Sequence, residues 1–374
     1  MKKLLLYILV SVISWPLFSE PLYSPTWGFK IDLPEGYEYS SGDGISKFSF
    51  SGPMNAQFDL TIYKDTYASM KNLVDDVHLR LKNQGEVSYF EYREKLAALI
   101  EIRTSDFTGW GLCVELEAEA GKNQPLLLAL AYGTARNANL ELYHLSALDS
   151  IAPSRSEFRY PGPIVEFGYP RGEYKKIPVA NTGLEVFIRE NDAEAAQALV
   201  DREFALLRNY LFLDTWKEAW IRYYRTIYRD SFDRLTDAAF QLERAWQVPK
   251  AQGNSSLDFA GKALTYVQGF KYERNLEGSD FMNLVSAVTG GSGDCDSRAM
   301  LWAIILTQAN IPAAIMVSRE HSHAMGLADI EGQGARFQTG GKKWLVAETT
   351  ATVGIGLIAQ EQSAIEAWLG VLFE

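Results

Sequence analysis

Gly290-Gly291-Ser292-Gly293-Asp294-Cys295-Asp296-Ser297-Arg298-Ala299 reads as a glycine-rich loop running into a helix. From Ala299 onward Met300, Ala303, Ile304 and Thr307 recur at helical spacing. Asn310 suits the left-handed position after the last turn, and Pro312 forbids continuation. Asp294 is a suitable N-cap, which makes Cys295 the first helical residue. That position has chemical meaning. The thiolate is the nucleophilic form of cysteine, and the free amide hydrogens and dipole of a helix N-terminus stabilise negative charge. Asp294 and Asp296 act in the opposite direction, because adjacent carboxylates raise a thiol pKa. An activated Cys295 therefore needs a neighbouring imidazolium as well.

His323 is the candidate. The uncharged run Ala313 to Ser318 predicts a strand, and Ala324 to Ile330 predicts the next. Trp344, Val346 and Glu348 alternate in a further strand, with Gly340-Gly341 as the hairpin turn before it. Residues on facing antiparallel strands sit about 5 Å apart, so His323 and Glu348 can meet across the ladder. A carboxylate so placed fixes the imidazole tautomer and stabilises its cation, completing a Cys–His–acid set. Other assignments use the same residues. His321 shares a face with His323 in an extended segment and is the alternative base. Cys295, His321, His323 and Glu348 are all acceptable zinc ligand types, though no paired ligand spacing accompanies them. A buried Cys295 would be inert and structural. The Gly290–Gly293 loop lacks the Gly-Lys-Ser/Thr ending of a phosphate loop.

Three motifs carry a family resemblance. Gly293-Asp294-Cys295 with its helix and the tail Ala309-Asn310-Ile311-Pro312-Ala313, then His323-Ala324-Met325, then Trp344 through Glu348-Thr349-Thr350, resemble in order the nucleophile helix, histidine strand and acid strand of the transglutaminase-like superfamily. The resemblance spans Leu257 to Thr350. It implies a papain-like αβ fold and acyl transfer at Cys295, with His323 as base and Glu348 as acid and no cofactor. The chain departs from the family in three places. Glu348 stands where Asp is usual and is followed by Thr349 rather than Pro, Met325 replaces an aromatic residue, and the His323-to-Glu348 interval is long because of an insert around Gly332 to Gly341. Glu reaches one methylene further than Asp, so a displaced strand can still orient the ring. The function implied is an exported cysteine hydrolase or acyltransferase acting on peptide or isopeptide amides, with peptide, protein or cell-wall peptide substrates as partners. The alternative is a catalytically silent protein of the same fold that binds protein or cell-wall partners.

The N-terminal half reads as a separate α/β unit. Phe29, Ile31 and Leu33 alternate, as do Ala56, Phe58, Leu60 and Ile62. Met70, Leu73, Val74, Val77 and Leu81 follow at helical spacing, with Gly85 as a stop, and strands are expected around Leu96–Ile102, Trp110–Leu116 and Leu126–Tyr132. The opening Trp27-Gly28-Phe29-Lys30-Ile31-Asp32-Leu33-Pro34-Glu35-Gly36-Tyr37 and the strand–helix–strands order resemble the PsbP-like fold. His78, beside the helix stripe, and His144, expected in a strand, read as structural. Five prolines from Pro153 to Pro178 mark a linker with short strands. A helical region then runs from Asp192 to Trp246, closed by Pro249 and Gly253. Its stripe of Trp216, Trp220, Tyr223, Ile227, Leu235, Leu242 and Trp246 reads as core. The expected class is α+β: signal peptide 1–19, α/β domain 20–152, linker 153–190, and helical segment plus transglutaminase-like domain 191–374.

Length and charge narrow the partners. A chain of 374 residues exceeds what one core usually organises, which favours at least two domains. The net charge of −11 repels phosphate backbones and anionic lipid, so nucleic acid is an unsuitable partner. Lys2-Lys3 followed by the apolar run Leu4 to Phe18, and then Ser19, reads as a secretory signal. That run is shorter than the ~20 residues of a comfortable membrane span, and no later segment is membrane-spanning. The expected location is periplasmic or secreted, with a retained N-terminal anchor as the alternative to a cleaved signal. Of the two cysteines, Cys113 falls in an alternating strand and Cys295 in the glycine-rich loop, which disfavours the disulfide otherwise common after export.

Overall fold

The computed structural model describes residues 20–117, 124–134, 138–246, 255–274 and 279–373. The expected signal at 1–19 and the helix stop at Pro249 and Gly253 lie outside the described residues. The chain is a mixed α+β protein, and among the described residues no helix is long and apolar enough to cross a membrane.

The N-terminal half is built on a seven-stranded antiparallel sheet. Alternation drives it: in Gln57–Tyr63 the residues Phe58, Leu60 and Ile62 are buried while their neighbours are half-buried. Both faces are covered. The helix Met70–Leu81 packs Met70, Leu73, Val74 and Val77 against Ala98, Ile100, Cys113 and Leu128 on one face. Phe29, Ile31, Ala147, Leu148 and Ile151 cover Phe58, Leu60, Leu112 and Leu127 on the other.

Three local expectations are corrected here. The helix ends at Lys82, in the left-handed region at φ 50°, before Gly85. Gly85 instead lies in the following turn, where a Cβ would meet the Glu101 carbonyl at 2.0 Å. The expected strand around Phe29 and Leu33 shortens to Lys30–Ile31, although Phe29, Ile31 and Leu33 are all buried. His144 stands in the helix Ala138–Asp149, not in a strand. That helix is buried on nearly every side from Tyr143 to Asp149, so it lacks the polar face that marks a helix in sequence. Burial lowers the His144 pKa to about 4, against a hydrogen bond to the Tyr132 backbone. It is a neutral core histidine.

Residues 153–190 hold the short helix Pro163–Gly168 and the hairpin Tyr174–Pro178 with Glu185–Arg189. Their Val165, Val179, Val186 and Ile188 are buried in the core of the C-terminal half. The expected long helix is three: Asp192–Leu207, Trp216–Arg234 and Thr236–Ala245. Tyr223, Ile227, Leu235 and Leu242 are core, whereas Trp216, Trp220 and Trp246 are only half-buried.

The C-terminal sheet has the strand order Arg336–Thr339, Lys342–Ala347, His323–Ala328, Ala313–Ser318, Leu369–Val371, all antiparallel. Gly340 and Gly341, at φ 56° and 75°, make the tight turn between the first two. The helix Cys295–Gln308 lies across one face, packing Ala299, Trp302 and Ala303 with Ile315, Val317, Ala324 and Leu345. Its large apolar side chains stabilise the fold by about 1.5–3 kcal/mol each when fully buried. Gly326 permits the close approach, because a Cβ there would stand 2.4 Å from the Trp302 ring. The opposite face is closed by Met316, Met325, Leu327, Val346 and Trp368. The helix and the histidine strand thus pack against each other along their length.

Candidate active site

The loop before Cys295 is tied down by its own side chains. The Asp294 Oδ1 accepts from the Ser297 amide at 2.7 Å, the N-cap bond expected of it. Ser297 Oγ donates to the Met282 carbonyl at 2.9 Å and accepts from the Met282 amide at 3.0 Å. Arg298 is buried and donates from Nε to the Gly293 carbonyl at 3.1 Å and from Nη2 to the Phe270 carbonyl at 2.6 Å. These bonds hold Lys271–Tyr272 parallel to Ser292–Gly293. Cys295 opens the helix as predicted, and the C-terminal side agrees too, with Asn310 left-handed at φ 61°.

His323 and Glu348 meet. His323 Nε2 and Glu348 Oε2 are 2.8 Å apart, and both side chains are largely buried. The other carboxylate oxygen, Oε1, accepts from the Thr350 amide at 2.7 Å and from the Thr350 hydroxyl at 2.6 Å. Burial raises the Glu348 pKa. The bonds from His323 and Thr350 and the imidazole charge outweigh it, so the carboxyl is held below its usual range. The Glu-Thr-Thr departure is therefore self-consistent: Thr350 clamps the longer acid. His321 does not reach Glu348. Its ring lies 5.4 Å from that of Trp368, and its Nε2 is buried with no hydrogen-bond partner among the described residues.

Cys295 is 2% exposed. Burial raises its pKa most, followed by Asp296 and Asp294, while the Ala324 backbone amide and the Arg274 charge act to lower it. Ala324 follows His323 directly, so the histidine strand touches the nucleophile through its backbone. Tyr272 also faces the nucleophile's surroundings: burial first, and then the Cys295 charge, push its pKa up to about 12. Tyr272 and Thr350 were not assigned roles from the sequence. A tyrosine 23 positions before a cysteine gives no local signal, and only the parallel pairing with Gly293 makes them neighbours. Trp368, which sits edge-on to His323 at 6.2 Å, was hidden for the same reason.

The carboxylates around the nucleophile form a cluster. Oxygens of Asp280, Asp294 and Asp296 lie within 4.8 Å of one another, close enough to share a proton or a hard cation. Burial pushes Asp294 up to about 7, and burial with the charges of Asp294 and Asp280 pushes Asp296 up to about 8. The Tyr224 hydroxyl donates to Asp296 Oδ1 at 3.0 Å. The zinc set of Cys295, His321, His323 and Glu348 does not converge among the described residues. Cys113 and Cys295 are both free thiols, buried in different core clusters, so the disulfide is not formed.

No family model matches this chain, and neither does any curated protein. Solved structures give distant matches. Cyanobacterial PsbP (CyanoP) from Synechocystis sp. PCC 6803 is 11% identical, with a TM-score of 0.27, covering 37% of this chain and 95% of its own. It matches the N-terminal part. A protein from Bacteroides thetaiotaomicron VPI-5482 is 10% identical, with a TM-score of 0.23, covering 56% and 77% of the two chains. A candidate protease from Parabacteroides distasonis ATCC 8503 is 10% identical, with a TM-score of 0.22, covering 80% and 68%.

Proposed function

We propose that this chain is an exported cysteine hydrolase or acyltransferase of transglutaminase-like type, acting on peptide or isopeptide amides. The observation that carries this is the His323–Glu348 pair, with both carboxylate oxygens engaged, next to Ala324, which shares a core cluster with Cys295. Glu348 occupies Nε2, which leaves Nδ1 as the nitrogen to exchange a proton with Cys295.

The thiol is the favoured resting form, given its burial and its two acidic neighbours. Proton transfer therefore accompanies attack. Cys295 Sγ bonds to the carbonyl carbon as its proton passes to His323, and the carbonyl electrons move onto oxygen. The backbone N–H of Cys295 and the Tyr272 hydroxyl receive that oxyanion. Collapse expels the amine, which takes the proton from His323 and leaves a thioester. Water, or an amine in a transferase, then attacks with His323 as base, restoring the thiol. By analogy we favour hydrolysis.

A silent binding protein is the second reading, favoured by the burial of Cys295. Mass-spectrometric mapping of iodoacetamide labelling across pH separates the two. The enzyme reading expects Cys295, whose proton His323 takes as the sulfur reacts, to label below pH 8 while the buried Cys113 does not. His323→Ala abolishes this labelling and His321→Ala leaves most of it. Equal, slow labelling of both cysteines sinks the reading.

A further inference from the structure

Glu348 stands one residue past the end of its strand. The ladder between the histidine and acid strands closes at the Gly326–Ala347 pair, so strand pairing stops short of the acid. Thr349 follows, and unlike a proline it leaves the backbone there free to rotate about φ. The peptide unit is held from another element instead. Gln268 closes the helix Ser255–Gln268, and its Nε2 donates to the Glu348 carbonyl at 2.8 Å and to the Val353 carbonyl at 3.0 Å. A primary amide has two N–H donors, and both are used here. One side chain thus ties the two ends of the segment 348–353, which carries the Thr350 clamp between them.

Gln268 is itself fastened to the nucleophile helix on both sides. Upstream, the Trp302 Nε1 donates to the Ala260 carbonyl at 3.1 Å, and Ala260, Ala263, Leu264 and Val267 are buried in the cluster that holds Cys295. Downstream, Arg298 Nη2 donates to the Phe270 carbonyl, and the Lys271 amide donates to the Gly291 carbonyl at 2.8 Å. Those bonds lock the residues after Gln268 to the loop before Cys295. A line of contacts therefore runs from the nucleophile helix through Gln268 to the acid without passing through the sheet.

We propose that Gln268 is a positioning residue for the acid, setting the Glu348 peptide against the nucleophile helix so that the carboxylate meets His323; this rests on the acyl-transfer reading of Cys295. Three ties locate Glu348, each on a different part of it. His323 engages Oε2, Thr350 engages Oε1, and Gln268 engages the backbone carbonyl. The first fixes the carboxylate to the ring and the second to its own turn. Of the three, the third refers the acid to the helix that carries the sulfur. Small misplacements in a catalytic set are costly, because the reacting groups must be held in near-attack geometry. Gln268 is half-buried, so water replaces part of a lost bond and the effect stays moderate.

The test is a double-mutant cycle on the iodoacetamide labelling rate of Cys295. Gln268→Ala should slow labelling at neutral pH about three- to tenfold, as for one lost hydrogen bond, and move the pH–rate profile toward that of Glu348→Gln. Gln268→Met keeps the length without a donor and should behave the same way. On the Glu348→Gln background neither substitution should slow the rate further, because the acid being positioned is already lost. Equal slowing in both backgrounds, or an unchanged profile in Gln268→Ala, overturns the assignment. If iodoacetamide does not select Cys295, or Glu348→Gln labels like the parent, the acyl-transfer reading fails instead. The positioning is then read on the pair itself, through the proton between His323 Nε2 and Glu348, by NMR on ring-labelled histidine. That proton should exchange with solvent about three- to tenfold faster in folded Gln268→Met, which upholds the assignment, whereas unaltered exchange overturns it.

Discussion

At the residue scale the chemistry depends on how Glu348 is held. Its oxygens are divided between His323 and Thr350, so neither oxygen is buried without a donor. Glu348→Gln keeps the shape but removes the charge that stabilises the imidazolium. Acylation should fall strongly, and iodoacetamide labelling of Cys295 at neutral pH should slow with it. Glu348→Asp keeps the charge and loses a methylene of reach, so a partial loss is expected. The pH–rate profile of alkylation measures both, and an unchanged profile in folded Glu348→Gln would mean that no triad operates. The pH dependence of stability has a definite sign. The Glu348 carboxyl is depressed in the folded state, so its contribution is complete above the ordinary Glu value of ~4.3. It is lost as pH falls through the lower folded value, and thermal melts of Glu348→Gln should lack that acid-side loss.

At the element scale, what was legible in the sequence was local. The nucleophile helix, its Asp294 cap, its Asn310 end, the strand that begins at His323 and the one that ends at Ala347, one residue short of Glu348, all declare themselves within a few residues. Contacts between distant segments left no such trace. The Tyr272 and Trp368 neighbours of the site follow from strand pairings that no periodicity encodes. The tryptophan stripe shows the limit from another side. Helical spacing correctly assigned Trp216 and Trp220 to one face, but spacing does not say how fully each is covered, and both stay half-buried. Helix and sheet are joined most tightly at Gly326. Gly326→Ala drives a methyl into the Trp302 ring, and overpacking of this kind costs about 1–3 kcal/mol. Because the strand also bears His323, a lowered melting temperature should come with slower Cys295 labelling. A full-strength labelling rate in a destabilised variant would separate the strand position from the chemistry.

At the scale of the whole molecule, the helix that carries Trp216 and Trp220 also fastens the two halves together. Arg222, buried at its middle, donates from Nη1 to Glu203 Oε2 at 2.9 Å, from Nη2 to Ser146 Oγ at 2.9 Å, and from Nε to the Asp32 carbonyl at 2.8 Å. Arg225 pairs with Asp32 at 2.8 Å, and Arg229 donates to the carbonyls of Asp149, Ser150 and Ile151. One side of this helix therefore grips the N-terminal sheet's covering layer while another reaches Asp296 beside the nucleophile. Removing one member of a buried ion pair leaves the other charge uncompensated and costs about 3–5 kcal/mol. Arg222→Ala should accordingly lower the denaturation midpoint and expose the segment around Asp32 and Ser146 to limited proteolysis. Arg222→Met paired with Glu203→Gln removes both charges and should recover much of that loss. If the helix transmits the strain, the single variant will also weaken Cys295 labelling and the double variant will restore it. Loss of stability with an unaltered labelling rate would mean that the N-terminal half braces the fold without setting the geometry of the site.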